Sequence, residues 1–208
     1  MSLDNKTLNK PLIFATGSSI RKDIAKSFGI NCDFIKSEVD EELIKLNFQG
    51  NKYHELAIQL ATEKSLTISD QYKDYYVVGV DQVCCINNEI LNKPGNKENA
   101  IFSLKKLSGN THYQNCGMAI CLNGKIVWQS SAVAELTMKP LSLDQIEEYV
   151  ELDKPFNCSG SYKFESHGKD LFSNVKGSEY TIQGLDIDQL LDIPVSYTHL
   201  TLPTKSLV

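Results

Sequence analysis

Apolar positions along the chain switch between two periods. Short apolar runs at 11–15 (PLIFA) and near 32–35 have the length of buried strands. Between them, Ile20, Ile24 and Phe28 recur on one helical face over 20–28, and Gly29 ends the helix. A longer helical pattern over 53–68 brings Leu56, Ala57, Leu60 and Ala61 to one side. Residues 75–86 read as a strand buried on both faces, and 97–107 as a helix with Ala100, Ile101, Leu104 and Leu107 inward. Two alternating runs, 112–122 and 126–138, flank Asn123-Gly124, a strong hairpin signal. A helix over 143–152 follows, with Ser142 as N-cap. After Pro155 the pattern predicts loops, two short strands and a last helical turn near 186–191. Helices alternate with strands early and a long hairpin dominates late, which predicts a mixed α/β fold with a long curved sheet flanked by helices. It is assigned to one domain over 11–195, after an N-terminal extension at 1–10. The segment 196–208 (SYTHLTLPTKSLV) has no amphipathic period and is set aside as a non-native tail.

Composition narrows the functional classes. The chain has 208 residues, 41% hydrophobic and 23% charged, with a net charge of -5. There is no basic surplus to drive nucleic-acid binding, although local lysines can still build a positive pocket. No apolar run reaches membrane-spanning length and the first residues lack the apolar core of a signal peptide, so the expectation is a cytoplasmic protein without membrane contact. Six cysteines, Cys32, Cys84, Cys85, Cys116, Cys121 and Cys158, form no CxxC pair and read as buried reduced thiols.

Candidate chemistry concentrates in a few places. In VVGVDQVCCINNEILNKP (77–94) an acid, Asp81, interrupts an apolar strand at what reads as its edge, and a short hairpin returns Lys93 next to Pro94. Buried acids are normally paired or working; the plainer reading is a carboxylate that caps the next turn. TGSSIR (16–21) joins a strand to a helix, so free N–H groups, the Ser18 hydroxyl and the Arg21 guanidinium suit an anion, though such junctions are often simple caps. Glu41 lies in an acidic loop, either solvated or a metal ligand. Lys64 shares a face with Leu56 and Leu60, either snorkelling or reaching a polar cleft. His112 is read as fixing a turn, and His167 as a loop residue near Glu165.

In order along the chain, FATGSSIR, VDE at 39–41, ATEK at 61–64, GVDQV at 79–83, LNKP at 91–94, LSGNTH at 107–112 and SGSYK at 159–163 resemble the Maf family from about 11 to 193. The resemblance implies a Maf/Ham-like fold of two lobes around a central cleft. It implies hydrolysis of a nucleoside triphosphate to the monophosphate and pyrophosphate with a divalent cation, Mg²⁺ or Mn²⁺, and a homodimer. Carried over by position, Asp81 resembles the proton acceptor, Ser18, Arg21, Lys64 and Lys93 the phosphate-handling residues, and Glu41 with Asp81 the metal ligands.

Three positions separate the branches of the family: Ile20, Gln82 and Glu165. DQVC at 81–84 and CSGSYKFE at 158–165 resemble the branch acting on 7-methyl-GTP, and a carboxylate such as Glu165 can accept from the N–H edge of guanine. That branch usually places tryptophan, able to stack on a charged base, where Ile20 stands. The expectation is therefore a 7-methyl-GTP pyrophosphatase that removes non-standard nucleotides. The alternatives are a dTTP/UTP pyrophosphatase of the same family and a nucleotide-binding regulator of septum formation without turnover. YTIQG at 180–184 resembles the glutamine motif of the dTTP/UTP branch but lies late in the chain, so Gln183 is read as a decoy.

Overall fold

The structure is a computed structural model and describes residues 11–193. The extension at 1–10 and the tail at 196–208 lie outside the described residues. β1 (Leu12–Ala15) leads into α1 (Ser19–Ser27), then β2 (Asp33–Phe34), α2 (Glu41–Asn47) and the long α3 (Tyr53–Gln71). A hairpin of β3 (Tyr76–Ile86) and β4 (Glu89–Leu91) precedes α4 (Lys97–Leu107). The long pair β5 (Thr111–Leu122) and β6 (Lys125–Met138) follows, then α5 (Leu143–Asp153), β7 (Phe172–Lys176), α6 (Glu179–Ile182) and α7 (Ile187–Leu191).

Among the described residues these strands form one sheet in the order β2-β1-β3-β5-β6-β7, with β4 also on β3. β1 runs parallel to β2 and β3, whereas β3–β5, β5–β6 and β6–β7 are antiparallel. Asn123 and Gly124, both at positive φ, close the β5–β6 hairpin as the sequence predicts. The expected mixed α/β fold with helices about a long sheet is the observed one. One apolar core joins α1 and α7 to β1, β3 and β5. A second joins α4 and α5 to the far half of the sheet and the loop around Tyr162.

Three local expectations need correction. The acidic stretch is a loop only to Asp40: the Asp40 carboxylate accepts from the Leu43 N–H at 3.0 Å, so Glu41 opens helix α2. After Pro155 one strand forms rather than two, because the Ser178 hydroxyl accepts from the Tyr180 N–H and starts α6 where a second strand was expected. Asp81 does not end a strand at a sheet edge; it lies inside β3, with β1 and β5 as neighbours of that strand.

Candidate active site

Two glycines bring the first functional pair together. The period of two puts Gly79 and Asp81 on one face of β3, and Gly117 of β5 lies directly opposite Asp81. Helix α3 rests on that spot. A Cβ at Gly79 would stand 1.9 Å from the Ala61 carbonyl oxygen, and one at Gly117 would stand 2.1 Å from the Ala57 carbonyl carbon. Only glycine lets the helix backbone approach this closely. One turn beyond Ala61 on that helix, Lys64 reaches the Asp81 carboxylate with its ammonium, and the same nitrogen lies 2.7 Å from the Glu41 carboxylate. The Lys64 and Asp81 side chains are only 10% and 7% exposed. Burial pushes the Glu41 carboxyl up, but the charge and hydrogen bond of Lys64, with Lys93 and Lys45 beyond, outweigh it and hold Glu41 below its usual value.

The pair opens onto a gap in the sheet. β1 accompanies β3 only as far as Gly79, and β4 joins it only from Cys84. In between, the Nη1 of Arg21 donates to the Val80 carbonyl at 3.1 Å and its Nε donates to the Gly184 carbonyl at 2.7 Å. The gap lies at the carboxyl ends of the parallel strands β1 and β2, where ligands of open α/β sheets bind. From β1 comes Thr16–Ser19: Ser18 is the N-cap of α1, yet its hydroxyl makes no capping bond, so both it and the first-turn N–H groups are available. From β2 comes Lys36, its stem packed 3.4 Å from the Cβ position of Gly17. From β4 comes Lys93, positioned by Pro94, whose carbonyl accepts from the Asn99 amide at 2.9 Å.

The opposite wall is the segment 154–165. The Lys163 N–H donates to the Tyr149 hydroxyl at 2.9 Å, and the Ser159 carbonyl accepts from the Gln114 amide at 3.3 Å. Past Glu165, the Asp153 carboxylate accepts from the Ser166 hydroxyl at 3.0 Å and contacts His167 Nδ1 at 2.8 Å. Gly160, at φ +82°, passes so close to the sheet that a Cβ would lie 2.9 Å from Cys84 Sγ. These ties hang the loop carrying Lys163 and Glu165 over a cavity of about 580 Å³. That is ample for a nucleotide. Arg21 and six lysines line it against three carboxylates, Glu41, Asp81 and Glu165, so the lining is strongly positive in a protein of net charge -5.

The Maf-like protein family model matches residues 11–193. The chain belongs to the Maf-like family. A "Nucleoside triphosphate pyrophosphatase" of Legionella pneumophila (strain Paris) is 38% identical over 90% of this chain and 94% of that protein. A "7-methyl-GTP pyrophosphatase" of Idiomarina loihiensis is 35% identical over 88% of this chain and 92% of that protein. A solved HAM1 protein from Coxiella burnetii superposes with a TM-score of 0.42 at 11% identity, covering 62% of this chain and 73% of that one, a likeness too slight to bear on the site.

Every residue singled out from the Maf-like motifs lines the one cavity: Ser18, Ile20, Arg21, Glu41, Lys64, Asp81, Gln82, Lys93 and Glu165. The placement differs in detail from a simple phosphate cradle. Lys64 is spent on the two carboxylates, and Arg21 commits two of its five donors to main-chain carbonyls. Gln82 donates its amide to the Thr181 carbonyl at 3.2 Å and to the Ile182 carbonyl, so it ties α6 to β3 besides facing the cavity. Gln183, read as a decoy, lines the cavity as well. His112 does not fix a turn; it is buried within β5 against the Tyr162 hydroxyl at 2.9 Å. Four cysteines are buried as expected, but Cys32 and Cys158 are half-buried. Cys158 faces the cavity with its thiol pushed up to about 11 by burial and then by Glu165, so it is no thiolate nucleophile. Lys36, Lys45, Lys154, Lys163 and Gln114 also line the cavity and escaped sequence reading. For Gln114 a signal existed: a polar residue inside a strand whose neighbours are buried. Among the described residues no helix is long and apolar enough to cross a membrane.

Proposed function

We propose that the chain hydrolyses a nucleoside triphosphate to the monophosphate and pyrophosphate, with 7-methyl-GTP as preferred substrate. The observation that carries the reading is the Lys64 ammonium bridging Asp81 and Glu41 at the mouth of a cation-lined cavity. The pyrophosphatase names of relatives aligned over nearly the whole chain support the reaction, and the 7-methyl-GTP name of one supports the base.

Asp81 is suited to accept the proton of the attacking water, because its carboxylate is held by the fixed α3–β3 contact rather than by a loop. The free N–H groups at the start of α1, the Ser18 hydroxyl and the remaining donors of Arg21 face the charge that grows on the phosphate oxygens. Lys93 and Lys36 neutralise the pyrophosphate as it departs. Glu41 and Asp81 converge on one nitrogen and would equally converge on a hard divalent cation, Mg²⁺ or Mn²⁺. No group of three or more acidic, histidine or cysteine ligands exists among the described residues, so such a cation would need substrate phosphate oxygens to complete its shell. When bound it supplies charge neutralisation and a more acidic water.

Purified protein with Mg²⁺ or Mn²⁺ should release pyrophosphate from 7-methyl-GTP faster than from GTP, UTP or dTTP, and Asp81→Asn should abolish release. No release from any of the four by the folded protein would overturn the reading. Gln183 on the cavity wall favours a second reading, a dTTP/UTP pyrophosphatase, which predicts the reverse order of substrates.

A further inference from the structure

The amide of Gln114 has an orientation that can be worked out from its neighbours. Its Nε2 lies 3.3 Å from the Ser159 carbonyl, which can only accept, so this end of the amide is the donor. The same nitrogen donates to the Tyr162 hydroxyl at 2.8 Å. With that acceptance made, the single phenol hydrogen is directed to His112 Nε2 at 2.9 Å. His112 Nε2 is then an acceptor and the ring proton sits on Nδ1, in keeping with burial that pushes the imidazole pKa down to about 4. The chain of bonds therefore runs one way, from amide to phenol to imidazole. Its other end is the Gln114 carbonyl oxygen, buried and without a hydrogen-bond partner among the described residues, on a side chain 1% exposed in the wall of the cavity.

A buried carbonyl oxygen without a donor is rare in folded proteins. Where such a group lines a ligand cavity, an N–H of the ligand completes it. We propose that Gln114 is a specificity-determining residue whose carbonyl oxygen accepts an N–H from the base and, with Glu165, selects a guanine-type edge over a pyrimidine. This rests on the nucleotide reading of the site. The chemistry discriminates because guanine presents N1–H and an exocyclic amine side by side, which suits two acceptors. Uracil and thymine present one N–H between two carbonyl oxygens, and those oxygens would oppose Gln114 or Glu165. Tyr162 and His112 are positioning residues: they hold the amide with its oxygen free. Gly160 packs against this amide, with its Cβ position 3.3 Å from Nε2, so the loop that carries Glu165 and the residue that completes its recognition are built on one another.

The test compares wild type with Gln114→Met, which keeps the volume and removes the acceptor, and Tyr162→Phe, which removes only the hydroxyl. Steady-state rates are measured on GTP, 7-methyl-GTP and UTP, with GMP and UMP binding by calorimetry alongside. In Gln114→Met the ratio of kcat/KM for GTP over UTP should fall about tenfold or more, chiefly through KM, and GMP should bind correspondingly more weakly. Tyr162→Phe should move the ratio in the same direction by a smaller factor. An unchanged ratio and unchanged GMP affinity in Gln114→Met overturns the proposal and leaves the oxygen to a buried water. If Gln114→Met does not melt cooperatively, Tyr162→Phe decides on the same two readouts. Calorimetry separates the two layers of reasoning: wild type that binds GMP but hydrolyses nothing refutes the pyrophosphatase reading, while the loss of GMP affinity in the variant still sustains the role of Gln114.

Discussion

Lys64→Met isolates the central claim, that one ammonium holds two carboxylates in place. Methionine retains most of the stem and removes the charge. In the wild type the Lys64 and Asp81 side chains are 10% and 7% exposed, whereas Glu41 is 31% exposed. Removing one member of a buried pair costs about 3–5 kcal/mol, because the charge left behind is desolvated and uncompensated. Glu41 can turn toward water, but Asp81 cannot, so the lower end applies: about 3 kcal/mol, read as a shift of the urea midpoint at unchanged slope in the presence of a chelator. Asp81→Asn removes the opposite charge and leaves Lys64 on Glu41, so it should cost less. In the double variant the uncompensated Asp81 charge no longer exists, and the two single effects should exceed the double by about 1–3 kcal/mol. Mg²⁺ should raise the melting temperature of Lys64→Met more than that of wild type, since the vacated position then lies between two carboxylates. Additive single effects, within about 0.5 kcal/mol, would mean that Lys64 merely lays its stem on apolar surface and that the pair is not an energetic unit.

Gly117→Ala puts a methyl group 2.1 Å from the Ala57 carbonyl carbon, an atom of helix backbone that cannot swing aside. The helix must lift, at a cost of about 1–3 kcal/mol or more, and because Lys64 rides on it kcat should fall by about a hundredfold with KM less affected; wild-type stability and rate together would refute the close approach. Glu41 is held below its usual 4.5, so the stability it contributes is present above that pH and is lost as pH falls through its lowered folded value; Glu41→Gln should flatten the acid limb of a stability–pH curve there, and an unchanged limb would refute the pairing with Lys64. His112 is neutral in the fold down to about 4 while the unfolded chain takes its proton near 6.5, so stability falls as pH drops from 6.5 to 4. His112→Asn should remove that slope, measured by urea melts at a series of pH values; a slope that persists would place the titration elsewhere.

Which features were legible in the sequence follows from how local their cause is. The helices at 53–71 and 97–107 and the 123–124 hairpin show in periodicity and turn chemistry, because one amphipathic face or one pair of positive-φ residues decides each. Helix α2 did not show. It buries no residue, and its start rests on a single Asp40 cap inside an acid run that looks solvated from composition alone. The second strand expected after Pro155 failed for a similar reason: Ser178 redirects an apolar YTI into a helical turn.

At the site the contrast is sharper. Asp81 is conspicuous because an acid in an apolar strand needs a partner, and the family resemblance points to Lys64 and Glu41. What no local pattern displays is why they meet. Gly79 and Gly117 sit far apart in the chain and look like weak points in two strands until β3 and β5 pair in register, which makes them the flat ground on which α3 lands. The same is true of Gln114. As a letter in an alternating strand it is a polar residue out of place. Only when the loop at 158–162 folds back, allowed by a glycine at 160 and fixed by Tyr162, is its nitrogen occupied from one side and its oxygen left without a donor. Glycines that remove steric volume and hydrogen-bond chains that fix direction both act through what lies across from them, and that is settled by register rather than by spacing along the chain.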